Sequence, residues 1–162
     1  MDTLRPRPRF AFSHPAHAIA LGFGAGLSPY APGTAGTLAA WAAGAVLVPL
    51  LPAAALLALV SVLFLAGIWA CEVTGRHLGV SDHGAMVWDE VVAFLLILAV
   101  LPGELAWQAA AFVLFRFFDI AKPQPVRYFD QRYRGGFGVM FDDLAAAAYT
   151  LLVLALFKRI FL

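Results

Sequence analysis

From residue 38 to its end the chain alternates long apolar runs with short polar breaks, and each run reads as a helix. The first covers about 38–51, with Pro49 and Pro52 bracketing the turn that follows. A second starts at Ala53 and continues to about Leu78, with Glu72 and Arg76 spaced i,i+4 near its end. After the polar stretch 79–84, a third run covers about 88–101 and ends at Pro102-Gly103. A fourth extends from Glu104 to Ala121 and stops before Pro123. A basic, glycine-containing loop fills 122–141, and a last helix is expected from about Asp142 to Phe157. Crossing a bilayer takes roughly 20 helical residues. The run 53–75 meets that length, 104–121 and 142–161 come close, and 38–51 and 89–101 are short.

Upstream of residue 38 the pattern breaks down. Residues 22–37, GFGAGLSPYAPGTAGT, mix five glycines, two prolines and three Ser or Thr hydroxyls, which predicts a loop of tight turns. Basic residues precede a short apolar run at 16–21, as in a signal peptide, but Pro15, His14 and His17 interrupt it and no small-residue cleavage site follows. Residues 1–27 are therefore expected to form an arm with a short helix at the membrane interface. Trp41, Trp69, Trp88 and Trp107 fall near the proposed boundaries and read as interfacial anchors.

Composition turns these runs into a class. The 162 residues are 62% hydrophobic and only 13% charged; a soluble domain has about 25% charged residues and roughly 45–50% apolar ones. The expected fold is all-α: a polytopic membrane helical bundle of four to five apolar helices with the N-terminal arm, forming one domain over 1–162. The lone Cys71 cannot form an internal disulfide. Net charge is +1, no nucleic-acid partner is expected, and no feature specifies an oligomer. Lys and Arg cluster at Arg5, Arg7 and Arg9 and again at Lys122, Arg127, Arg132 and Arg134. With a cytoplasmic N-terminus, five crossings return 76–88 and 122–141 to the cytoplasm, as the positive-inside rule asks; Lys158 and Arg159 count mildly against this. In that topology every polar cluster meets at one membrane face.

Eight of the ten carboxylates lie between residues 80 and 143. Ionisable groups at the edge of a membrane segment are costly, so they are read first as a working site. Asp89-Glu90 and Asp142-Asp143 are adjacent acidic pairs at the starts of apolar helices. Helix capping needs only one carboxylate, and doubled acids repel unless a cation intervenes. Hard oxygen ligands suit Mg²⁺, which is often held by one or two carboxylates and a substrate phosphate. Asp89, Glu90, Asp142 and Asp143 are the candidate metal ligands.

Arg116, Asp119 and Lys122 follow at i, i+3, i+6 and share one helix flank. They form either an internal ion pair with a snorkelling lysine or a cationic fork for phosphate, which guanidinium matches bidentately. Gly33, Thr34, Gly36 and Thr37 could link two elements or present N–H groups and hydroxyls to a phosphate. Gly135, Gly136 and Gly138 most simply allow close backbone approach. Asp82-His83 is a candidate proton-transfer pair. Glu72–Arg76 reads as a helix-end pair.

Four stretches carry a resemblance: GFGAGLSPYAPGTAGTL (22–38), DHGAMVWDEVVAF (82–94), FRFFDIAKPQPVRYFD (115–130) and GGFGVMFDDLAA (135–146). Together they resemble the phosphatidylglycerophosphatase A family of bacterial inner-membrane phosphatases. The resemblance implies Mg²⁺-dependent removal of phosphate from phosphatidylglycerophosphate, a phospholipid substrate, and a site on the cytoplasmic face. Carried over by position, catalytic roles fall to Asp82, His83, Asp89, Glu90, Asp119, Asp142 and Asp143, and phosphate binding to Arg116, Lys122 and the 33–37 stretch. Ala93 stands where the family usually has glycine, and Ala146-Ala147 where it tends to have Ala-Gly; both keep a small residue.

The chemistry expected is hydrolysis of a phosphate monoester, by direct water attack or through an aspartyl-phosphate. Motifs of other lipid-phosphate enzyme classes are absent from the sequence. A small ion or proton-coupled carrier is the rival from another class, and it would carry its carboxylates mid-membrane rather than at segment ends.

Overall fold

A computed structural model describes residues 6–101, 103–124, 127–128 and 132–161. Arg5, Pro102, Pro125, Val126, Phe129 and Asp130, invoked above, lie outside the described residues. The order is α1 (Pro8–Ala11), α2 (Pro15–Ala20), a 3-10 segment (Gly22–Leu27), α3 (Pro32–Leu50), α4 (Ala53–Leu78), α5 (Trp88–Val100), α6 (Leu105–Ala121) and α7 (Gly135–Phe161). No strand occurs among the described residues. Three of these helices, α3, α4 and α7, are long and apolar enough to cross a membrane; α5 and α6, at 13 and 17 residues, are shorter.

Two helix starts differ from expectation. α3 begins at Pro32 and takes in the Gly33–Thr37 stretch expected as loop. Proline suits the first helical turn, where its missing N–H would find no partner anyway. α7 begins at Gly135, seven residues before the acidic pair expected to open it. In both cases glycine marks where another element presses on the helix, and tertiary contact overrides propensity.

At Gly136 an added Cβ would run into the Ile68 carbonyl of α4 and lie 2.7 Å from the Glu72 nitrogen. At Gly67 it would meet Met140 Sδ at 2.6 Å and Trp88 Cδ1 at 2.7 Å. Small residues let membrane helices approach closely, where packing rather than water drives association. α4 and α7 are antiparallel, since residue 72 meets 136 and residue 67 meets 140.

Contacts fix the other directions. Gly33 touches both Glu90 and Arg116, Gly44 touches Leu98, and Trp41 Nε1 donates to Gln108 Oε1 at 2.7 Å. So α3 runs with α5 and against α6. The starts of α3, α5 and α7 and the end of α6 share one end of the bundle.

Short α5 is the hub. It packs on α3, α4 and α7, and nine of its 13 residues are buried. Trp88, expected at the interface, is instead 7% exposed, its indole N–H bonded to the Leu63 carbonyl at 3.1 Å. The arm is helical as expected, but it docks on the bundle: Ala11, Ala16, Ala20 and Leu21 are fully buried. The Val87 N–H donates to the Ala20 carbonyl at 2.8 Å, tying the arm to the start of α5.

Candidate active site

The two acidic pairs, more than fifty residues apart in sequence, converge. One carboxylate oxygen from each of Asp89, Glu90 and Asp143 lies within 4.8 Å of the others. Asp89 and Glu90 stand in the first turn of α5, whose cap residue Val87 offers no side chain to the exposed N–H groups. Asp143 stands two turns inside α7, where capping cannot explain a carboxylate. Both aspartates are buried, at 8% and 3% exposure.

Asp89 Oδ1, Glu90 Oε2 and Asp143 Oδ2 are buried and make no hydrogen bond. Leaving buried charged oxygens unsatisfied costs several kcal/mol each, unless a cation or proton compensates. Oxygens opposite each other on Mg²⁺ are about 4.2 Å apart, given bonds of about 2.1 Å. The trio thus has the chemistry of a hard divalent cation site, and its oxygens, no more than 4.8 Å apart, would draw in around an ion.

Around the trio, Arg116 Nη1 contacts Asp119 Oδ2 at 2.7 Å and Glu90 Oε1 at 3.5 Å. Asp119 in turn reaches Asp143. Gly33 lies directly over the Glu90–Arg116 contact, with the guanidinium nitrogens 2.9 and 3.0 Å from where a Cβ would stand. Its role is close approach of the α3 backbone to the ion pair. Lys122 closes α6 in a left-handed conformation (φ 41°), which turns its side chain across to Asp142 Oδ2 at 2.5 Å. Among the described residues, the ion pairs here join Arg116 to Asp119 and Glu90 and Lys122 to Asp142.

Asp142, expected among the metal ligands, is not one of the converging trio. Successive helical residues point about 100° apart, so Asp143 faces Asp89 while Asp142 faces Lys122 and a cavity of about 290 Å³. Ser81, Asp82, Tyr133, Arg134 and Gly138 also line that cavity. His83 lines a different cavity, of about 240 Å³, with Gly26, Ser28 and Pro32. Its Nδ1 accepts the Ala85 N–H at 3.1 Å. Asp82 and His83, expected as a proton-transfer pair, thus line different cavities. Thr37 is fully buried and donates to the Gly33 carbonyl at 2.9 Å, so its hydroxyl serves its own helix rather than a headgroup. Gly36 packs on Val87. Thr34 is half-buried in the first turn of α3.

A histidine cluster went unread in the sequence because its members come from different elements. His17 Nδ1 meets Thr74 Oγ1 at 3.0 Å and His77 Nδ1 meets His17 Nε2 at 3.0 Å. The His14 ring stands 5.3 Å from that of His17. Burial holds the His17 pKa below the ordinary histidine value, and His77 and His14 push it the same way.

No solved structure matches this chain. Among curated proteins it is similar to phosphatidylglycerophosphatase A of Haemophilus influenzae, 46% identical over 94% of each chain. The Escherichia coli K12 protein of the same name is 42% identical over 86% of this chain and 81% of its own. A Bacteroides thetaiotaomicron protein provisionally named a phosphatidylinositol-3-phosphatase is 43% identical over 85% of this chain and 89% of its own. The family model described as phosphatidylglycerophosphatase A matches residues 18–158, which hold every residue of the carboxylate–arginine site, and the chain belongs to that family.

Proposed function

We propose that this chain is a membrane phosphatidylglycerophosphatase that hydrolyses the terminal phosphate monoester of phosphatidylglycerophosphate to phosphatidylglycerol and inorganic phosphate. The observation that carries the reading is the convergence of Asp89, Glu90 and Asp143 beside Arg116, each with a buried carboxylate oxygen that makes no hydrogen bond. Relatives named for two different lipid phosphate monoesters support that substrate class.

Asp89, Glu90 and Asp143 would hold Mg²⁺. When bound, the ion supplies Lewis-acid polarisation of the phosphoryl oxygens and a template for the attacking water. Arg116 is held by Asp119, so its guanidinium is pre-oriented toward charge developing on the phosphoryl group. Lys122 rests on Asp142 at the wall of the cavity, where an arriving phosphate competes with Asp142 for the ammonium. Water oxygen bonds to phosphorus, the bond from phosphorus to the glycerol oxygen breaks, and the water's proton ends on that oxygen.

The acyl chains stay in lipid while the headgroup enters from the bundle end that carries Lys122, Arg132 and Arg134. That basic end is assigned to the cytoplasmic face of the bacterial inner membrane. Lys158 and Arg159, at the far end, are outnumbered.

The test is phosphate release from detergent micelles of phosphatidylglycerophosphate, phosphatidic acid or phosphatidylinositol 3-phosphate, with Mg²⁺ or EDTA, for wild type and Asp143→Asn. Mg²⁺-dependent release from phosphatidylglycerophosphate, lost in the variant, is expected. Equal rates in all conditions would remove the phosphatase reading, and preference for another of the three lipids would reassign the headgroup.

A further inference from the structure

We propose that Glu72 is a positioning residue: it locks α7 against α4 in the axial register that brings Asp143 to Asp89 and Glu90. The sequence presents it as one half of a helix-end pair with Arg76, and that pair exists, with Arg76 Nη2 2.7 Å and Nε 2.9 Å from Glu72 Oε1. The other oxygen does something the pair does not require. Glu72 Oε2 accepts the backbone N–H of Gly136 at 2.8 Å, in the first turn of α7. Arg76 thus orients the carboxylate and Gly136 receives it.

The local backbone is shaped for this contact. Gly135 has φ +74°, a conformation costly for any residue with a Cβ, and Glu72 Oε2 occupies the place such a Cβ would take. Gly136 lies against the Ile68 carbonyl and the Glu72 nitrogen, so α7 meets α4 backbone to backbone there. Free N–H groups of a first turn donate readily to a carboxylate, with help from the helix dipole.

The register set at Gly136 reaches the site through helix geometry. Asp143 lies seven residues further on, about two turns and roughly 10 Å along α7, and so on nearly the same face. Met140, between them on that face, seats its sulfur on Gly67, which also contacts Trp88, the residue next to Asp89. A slip of one residue would turn Asp143 by about 100° and shift it by about 1.5 Å, away from Asp89 and Glu90.

This rests on the reading of Asp89, Glu90 and Asp143 as a cation site, so the test reads cation binding as well as turnover. Mn²⁺ binding to the full chain in detergent micelles is followed by electron paramagnetic resonance, beside phosphate release against Mg²⁺ concentration. Glu72→Ala is expected to raise the Mn²⁺ midpoint about fivefold, the fold-change a lost helix cap represents, with turnover recovering as Mg²⁺ rises. Glu72→Gln keeps an acceptor for Gly136 and is expected to stay within about twofold of wild type on the same scale. A midpoint for Glu72→Ala within that twofold limit overturns the proposal, as does a Gln variant shifted as far as the Ala variant. If Glu72→Ala does not fold, Glu72→Asp, one methylene short of Gly136, replaces it with the same thresholds. Failure of wild type itself to bind Mn²⁺ would instead sink the cation reading beneath it.

Discussion

Gly33→Ala adds one methyl group and no charge, at the point where α3 crosses the Glu90–Arg116 contact. The new carbon would overlap Glu90 Oε1 and stand 2.9 and 3.0 Å from the guanidinium nitrogens. Unstrained contacts settle at about 3.5 Å or more, so Glu90, or Arg116 with it, must retreat by about 1 Å. Overpacking of this kind costs about 1–3 kcal/mol, against about 1 kcal/mol gained by replacing glycine with alanine in a helix. The net loss of stability is therefore small, and the thermal midpoint in detergent should stay within a few degrees of wild type. Activity should respond far more, because misplacing a positioned group by 1 Å costs about 10²-fold. The assay is phosphate release from phosphatidylglycerophosphate micelles at saturating Mg²⁺, beside a melting curve of the same preparation. A variant that melts normally and keeps more than about half of wild-type kcat/KM, where about 10²-fold loss is expected, would show that the Glu90–Arg116 contact does not matter to turnover.

Asp143→Asn should lower kcat by at least about 10²-fold, the scale of losing one charged group aimed at the reaction. Asp142→Asn, next to it in sequence, should cost no more than about fivefold, the size of a partly exposed ion pair; the two measured side by side separate the cation trio from the lysine partner. Arg116→Lys replaces a fork touching both Asp119 and Glu90 with a single ammonium, and should lose about 10²-fold in kcat while KM moves less. For His17, a pKa lowered in the folded state means that the unfolded chain binds more protons in acid. Its contribution is complete above the unfolded value of roughly 6.5 and is lost as pH falls from there through the lowered folded value. Melting curves in detergent from pH 8 to pH 5 should show that loss of stability, and His17→Gln should flatten it.

The chemistry-bearing residues were legible because ionisable groups in so apolar a chain have few roles; Asp89, Glu90, Arg116, Asp119 and Asp143 all fall in one place. Helix starts were not, since Pro32–Thr37 and Gly135–Phe141 read locally as loop. What fills the space beside them comes from other elements, the Glu90 and Arg116 side chains at Gly33 and the α4 backbone at Gly136, which no local pattern encodes. The same cause hid the division of labour within Asp142-Asp143. Adjacency in sequence suggested a shared ligand role, while helical rotation sends one to Asp89 and the other to Lys122. Trp88 misled in the opposite sense: near a segment boundary it resembled an anchor, yet its indole is spent inside the core on Leu63. The histidine cluster and the reach of Glu72 to Gly136 join residues some sixty apart in sequence and needed the tertiary structure.

Whether Asp89, Glu90 and Asp143 together hold one divalent ion is best settled by titrating Mn²⁺ into the purified chain in micelles and counting bound equivalents by electron paramagnetic resonance. One tight equivalent is expected for wild type, lost in Asp89→Asn, Glu90→Gln and Asp143→Asn alike, and retained in Asp142→Asn. Retention of that equivalent in any of the first three, or its loss only with Asp142, would place the ion elsewhere and remove the basis for the proposed chemistry.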